Sequence, residues 1–155
     1  MRRKRNYKRE HKPDVKYRNV SVGRLTNYLM EGGKKTIAER IIYDAFEIIS
    51  KTSKQDPAMV FEKALTNASP TVEVVSRRIG GANYQVPREV RASRKFMLAA
   101  NWIINAARSK KGKPMAEKLA EELIAASNNE GAAIKKKQDT HRMAEANRAF
   151  AHFAW

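Results

Sequence analysis

Apolar residues recur at helical spacing through most of this chain, with one interruption where they alternate instead. The first periodic stretch, SVGRLTNYLMEGG, places Val22, Leu25 and Leu29 on one side and stops at Gly32-Gly33, a pair suited to a helix end. The second, TIAERIIYDAFEII, carries Ile37, Ile41, Ala45 and Ile48, with Ile42, Phe46 and Ile49 beside them, a stripe broad enough for a central helix. Thr36 and Glu39 have the spacing of a capping box at its start. Asp56-Pro57 opens a third helix, Asp as N-cap and Pro at the first helical position. Phe61, Ala64, Leu65 and Ala68 line its buried face, and Pro70 ends it.

The interruption is VEVVSRRIGGANYQVP. With Gly80-Gly81 as a two-residue turn, Ile79 faces Ala82, Arg77 faces Tyr84 and Val75 faces Val86. Pro87 fits only an edge or a strand end. No third strand is predicted anywhere, so this is a lone two-stranded ribbon, and such ribbons are marginal in water. Val72, Val74 and Val75 anchor its base on the helices, while the tip from Arg77 to Tyr84 has no core to join and needs an external partner to hold it.

A fourth helix follows, with Phe96, Ala99, Ala100, Ile103, Ala106 and Ala107 on one side. Arg91, Arg94, Lys95, Asn101, Trp102, Asn105 and Arg108 fall on an opposite arc of roughly 140°. Because Arg91 and Arg94 oppose the Phe96/Ile103 face, reversing their charges is expected to leave the fold intact. Trp102 stays open between a half-buried structural ring and one that stacks on a base. The basic link RSKKGK leads to Pro114 and a fifth helix carrying Ala116, Leu119, Ala120, Leu123 and Ile124. The last helical pattern follows Gly131, with Met143, Ala146 and Phe150 on one stripe, and AFAHFAW is expected to lie on a neighbour rather than fill this core. The predicted fold is mainly α: a single domain of about six helices with one protruding β-hairpin between the third and fourth. Residues 1–18 read as a basic arm and 19–155 as the helical domain, with the hairpin at 71–88.

Charge changes the picture. Of 155 residues, 32 are Lys or Arg and 16 are Asp or Glu, a net charge of +16. Such an excess attracts polyanions. Nine of the cations lie in the first eighteen residues, where apolar periodicity is missing. That segment reads as an arm that orders on a partner, or as a solvated tail. An anionic membrane is the competing polyanion, but no helix here pairs a bulky apolar face with an isolated lysine-rich one. Without cysteine there are no disulfides, thiolate metal sites or cysteine nucleophile. With no long apolar run and neither a secretory nor a transit pattern, the chain reads as cytosolic or made inside an organelle.

Catalytic constellations are not apparent. The histidines are His11, His141 and His152, and no carboxylates are spaced to join them at a metal. His141, near three lysines, suits a neutral imidazole bonding to or stacking on RNA better than a general base. The acids mostly stand at helix starts or at intrahelical pairing distance, as Glu39 and Glu62 do. RRIGGANYQ and MEGGKKT both lack the strand-glycine-Lys-Ser/Thr order of a phosphate loop. No enzyme, cofactor or metal is expected.

The cations form separate patches: the arm, Lys34-Lys35, Arg77-Arg78, the fourth helix, Lys110 to Lys113, and Lys135 to Lys137. A reader of duplex DNA usually concentrates its base contacts on one helix. Several patches with aromatic and Asn residues among them suit an irregular folded RNA. A DNA-binding architectural protein with a basic arm and β-ribbon is the alternative.

Four motifs in order carry a family resemblance, spanning Pro13 to the end. PDVKY followed by RLTNYLMEGGKK and IIYDA, then VEVVSRRIGGANYQVPREVR, LAANWIINAAR and DTHRMAEANRAFAH, resemble the bacterial form of the seventh-protein family of the small ribosomal subunit. Val15, Ala92 and Ala154 depart from its usual residues. The resemblance implies a primary binder of the 3′ major domain of small-subunit ribosomal RNA that nucleates assembly of the head. It implies neighbouring proteins of head and platform as partners, and a monomer within the ribosome. Some members also repress their own operon through its messenger.

Charge and resemblance together assign RNA contact to Arg2, Arg3, Lys4, Arg5, Lys8, Arg9, Lys34, Lys35, Arg77, Arg78, Arg91, Arg94, Lys95, Arg108, Lys110, Lys111, Lys113, Lys135, Lys136, Lys137 and Arg142. The hairpin and C-terminal region are similar to those that reach exit-site tRNA and the messenger path, which implicates Arg78, Gly80, Gly81, Asn83, Tyr84, Arg148 and His152.

Overall fold

The structure is a computed structural model and describes residues 11–153. The elements run α1 (Val20–Leu29), α2 (Lys35–Ser53), α3 (Pro57–Ala68), β1 (Val72–Ile79), β2 (Ala82–Glu89), α4 (Ala92–Ser109), α5 (Met115–Ser127) and α6 (Ala132–Ala146), with a closing 3₁₀ turn at Arg148–Phe153. The expected class therefore holds: six α-helices and one antiparallel hairpin between α3 and α4.

Helix α5 is the centre. It packs against α2, α3 and α4, and also touches α6. Leu119, Ala120, Leu123 and Ala126 are fully excluded from solvent. Their alternation of large and small lets neighbouring helices close on both sides. Phe46 of α2 and Phe61 of α3 fill the adjoining space, with ring centroids 5.7 Å apart. On α4 the expected apolar face is confirmed for Ala99, Ala100, Ile103, Ala106 and Ala107. Phe96 and Trp102 are half-buried against the core.

Three helix details differ from expectation. In α2 the buried residues are Ala38, Ile42, Ala45, Phe46 and Ile49, while Ile37 is 53% exposed. Thr36 is not a cap: Gly32 and Gly33 both take positive φ, the helix starts at Lys35, and its N-cap, Lys34, makes no side-chain bond. In α6 the buried face is Ala133, Ile134, Thr140 and Ala144, and the stripe through Met143 points outward. The helix ends at Ala146, so Phe150 belongs to the next element. The Asp56 cap is as expected, its carboxylate accepting from Ala58 N–H.

Glu122 was not legible as a structural residue. It lies buried on α5 and accepts from the Ala133 N–H at 3.0 Å, so α5 supplies the cap that α6 lacks. Gly131 makes room for it: φ there is +95°, and an added Cβ would stand 2.8 Å from the Glu122 carboxylate.

The root of the expected arm is docked. Asp14, buried, accepts from the backbone N–H groups of Lys16 and Tyr17 and from the Tyr43 hydroxyl at 2.8 Å. Burial and then this bond push the Tyr43 hydroxyl up to about 12. Tyr17 meets Phe46 edge-on. At Gly23 an added Cβ would strike the Lys12 carbonyl at 2.7 Å, so the chain passes directly over α1. Glu62 also departs from its expected intrahelical role and accepts from the Asn19 side-chain amide.

The hairpin register is the predicted one, from Val72 opposite Glu89 to Ile79 opposite Ala82. Positive φ at both Gly80 and Gly81 gives the turn whose twist matches the strands. The ribbon is not held only from outside, however. Glu73, buried at its base, receives Arg88 at 2.9 Å and Arg94 of α4 at 2.8 Å. Burial alone would raise the Glu73 carboxyl, but the two arginines outweigh it and hold it below the usual carboxylate range. At the root, Thr71 N–H donates to His141 Nε2 of α6 at 3.2 Å. Further out, Tyr84 lies against Phe150 and Phe153, at 5.3 and 5.6 Å between ring centroids. Phe150 and Phe153 of the expected aromatic tail thus lie on the chain's own hairpin and not in the core, while Ala154 and Trp155 lie outside the described residues.

Replacing Glu73 with Ala should lower the melting midpoint by roughly 4–8 °C, equivalent to about 2 kcal/mol, because two arginines lose their shared acceptor. Amide exchange should accelerate in the hairpin more than in α5, and an unchanged midpoint would show that the clamp contributes nothing. The depressed carboxyl makes this stabilisation full above 4.5 and lost as pH falls below it, so wild type and variant should converge in acid.

His141 generates a second test. Burial, then the nearby Lys137 charge, lowers its affinity for a proton from the usual value of 6.5. The unfolded chain therefore binds more protons just below that value, and stability should fall as pH drops through it. His141→Gln keeps an acceptor that does not titrate. Melting curves at pH 7.5 and pH 5 should show less acid sensitivity for the variant; equal sensitivity would clear His141 of this role.

Candidate nucleic-acid interface

Burial and pairing sort the predicted cations into two groups. The first is engaged within the fold. Arg94 bonds Glu73. Arg108 reaches Glu31 at 2.7 Å and the Leu29 carbonyl at 3.2 Å. Lys110 stands 3.2 Å from Glu122 and 3.5 Å from Glu121, which also receives Lys113. The bond from Lys113 lowers the Glu121 carboxyl. Lys137 donates to the Asn67 carbonyl at 2.7 Å, and Lys35 lies 3.8 Å from Glu39. Reversing Arg94 would therefore place a second carboxylate beside Glu73, so its indifference to the fold does not hold.

The second group has no ion pair or side-chain hydrogen bond among the described residues: Lys34, Arg78, Arg91, Lys95, Lys111, Lys135, Lys136 and Arg142. They lie on the loop before α2, the hairpin tip, the start of α4, the α4–α5 link and α6. Arg77, opposite Tyr84, is half-buried and engaged within the fold. Arg2, Arg3, Lys4, Arg5, Lys8 and Arg9 lie outside the described residues.

Of the positions assigned to exit-site tRNA and messenger, Arg78, Gly80, Gly81 and Asn83 are exposed at the hairpin tip. Tyr84 is half-buried in its aromatic clasp. Arg148 stands 3.5 Å from Glu145, and His152 Nδ1 bonds the Ala149 carbonyl while its ring packs on Phe153. The structure brings tip and tail together through Tyr84, a proximity that sequence spacing could not supply.

One cation escaped the sequence reading. Arg24 of α1 lays its guanidinium on the Phe96 ring, 3.8 Å from the centroid, with Tyr28 at the edge of the same ring. Helical spacing of Arg24 and Tyr28 was visible in the sequence, but their meeting with α4 was not. Among the described residues no group of His, Cys, Asp and Glu could hold a metal ion. No described helix is long and apolar enough to cross a membrane.

Comparison with known proteins matches this arrangement to a family. Residues 1–148 match the sequence profile of ribosomal protein S7p/S5e. The chain is 59% identical over 155 residues, all of both chains, to the Thermotoga maritima protein named small ribosomal subunit protein uS7. It is 57% identical to the one of that name from Thermosipho africanus, again over all of both chains. Against the Desulfatibacillum aliphaticivorans protein of that name, identity is 53% over 99% of each. With likeness of this extent over the full helical domain and hairpin, the chain belongs to the ribosomal protein S7p/S5e family.

Proposed function

We propose that this chain is a structural, non-enzymatic component of the small ribosomal subunit that binds ribosomal RNA directly and nucleates assembly of the head on the 3′ major domain. The names of its relatives support the location. The observation that carries direct RNA binding is the set of unpaired cations spread over several elements of the described fold. Cations of such a surface neutralise phosphates, release the counterions condensed on the RNA and fix register, while sequence is read elsewhere. Family membership sets aside the architectural DNA-binding alternative. The hairpin tip and C-terminal segment are proposed to lie by exit-site tRNA and messenger, with ribosomal proteins of head and platform as neighbours and the ribosome of the cytoplasm, or of an organelle, as the location.

Binding to a 3′ major-domain transcript should weaken steeply with salt. With roughly 6–10 phosphate contacts, log K against log salt should have a slope of about −4 to −9. A filter-binding series between 50 and 200 mM salt measures it, and a slope near −1 would mean that these cations serve only the solvent.

Replacing residues 78–83 with a short Gly-rich turn, while keeping Tyr84 and its clasp, should leave folding and transcript affinity near wild type. The expected loss is in retention of exit-site tRNA on reconstituted subunits, read as weaker tRNA binding and reduced frame maintenance. Loss of transcript binding by the folded variant would instead put the tip in the primary RNA site.

A further inference from the structure

Arg24 is half-buried, yet no carboxylate or carbonyl receives its guanidinium among the described residues. Its Nε is wholly buried without a hydrogen-bond partner. Other cations that the fold draws inward have partners, Lys110 in Glu122 and Lys137 in the Asn67 carbonyl, while Lys95 and Lys118, also half-buried, have none among the described residues; only Arg24 has a donor nitrogen wholly buried without one. Leaving a partly desolvated cation unpaired costs stability, and stacking on Phe96 offsets only part of it. That stack also removes rotamer freedom from the side chain and turns one flat face away from water. The free edge of the fork is then presented in a fixed orientation, the geometry that suits a tetrahedral anion approached in plane.

Lys95 and the N-cap residue Arg91 have no ion-pair partner among the described residues, but they fall on the arc of α4 away from Phe96 and are not counted in this site. Tyr28, one turn after Arg24 on α1, lies tilted against the same ring, 6.1 Å between centroids. An anion seated here would meet the Arg24 guanidinium, to which no acid of the described fold is paired.

From this geometry we infer that the α1–α4 junction holds an RNA phosphodiester, with Arg24 as its principal donor and Phe96 as the platform that orients the guanidinium. The inference rests on the proposed RNA binding and adds a residue and an element, α1, to it. It distinguishes Arg24 from the paired arginines: they hold the protein together, and Arg24 is built to be completed by the ligand.

Arg24→Gln tests this with the full chain and a 3′ major-domain transcript. Affinity should fall about tenfold, the worth of one charge-assisted bond. The salt slope should become shallower by about 0.7–0.9, as for the loss of one phosphate contact. The melting midpoint should stay level or rise, because an uncompensated charge has been removed. Arg24→Lys, which keeps the charge without the flat fork, should fall between the two in affinity. Unchanged affinity and slope in folded Arg24→Gln would overturn the site, as would a loss of affinity accompanied by a lower midpoint. If Arg24→Gln does not fold, the Lys variant decides, and wild-type affinity there overturns the site. Should wild type itself bind the transcript no better than an unrelated RNA, the broader RNA-binding reading fails instead, a result separate from any effect of Arg24.

Discussion

Sixteen acids cannot neutralise thirty-two cations, and the fold depends on where those acids go. Among the described residues three are buried, and each joins pieces of chain that would otherwise repel or fray. Asp14 ties the entering segment to α2 through Tyr43. Glu73 ties the hairpin to α4 through Arg94. Glu122 caps α6 from α5 and holds Lys110 of the preceding link. Burial of the carboxylates leaves these bonds less screened by salt and makes their loss costly, because each carboxylate has few other donors in reach. The surplus of positive charge is left outside, where it is free for a polyanion. Folding and binding thus draw on the same ionic inventory.

Much of the architecture was legible because short-range rules governed it. The hairpin register follows from a two-glycine turn and strict alternation, so the partners of Ile79, Arg77 and Val75 could be named in advance. The Asp56-Pro57 start and the apolar face of α4 are equally local. Where spacing admitted two answers, the outcome was set by tertiary packing. Thr36 and Glu39 satisfy a capping pattern, but the positive-φ glycines turn the chain so that α2 begins before them. Met143 and Phe150 looked like a core stripe of the last helix, while α6 turns Ala133, Ile134 and Thr140 inward and packs chiefly on α4 and the hairpin.

The candidate interface was legible in kind and not in membership. Counting cations identifies a polyanion partner, yet whether a given arginine faces that partner depends on acids far away in sequence. Arg94 and Arg91 are three residues apart on one helix, and only the first is clamped, by a glutamate on the hairpin. The reverse happened at Arg24, whose role emerges from a ring on another helix. Long-range pairs of this sort leave no periodicity to read.

The clasp of Tyr84 by Phe150 and Phe153 has a thermodynamic corollary. Tip and tail each use the other's apolar surface, so their accessibilities are linked and the linkage is reciprocal. A neighbour that took the tail's rings for itself would have to strip them from Tyr84, and would leave the ribbon's outer half less stiff. A ligand that gripped Tyr84 in its clasped position would, by the same amount, make the tail harder to remove. The end of the chain therefore acts as a brake on the ribbon, set or released by whatever competes for two phenylalanine rings.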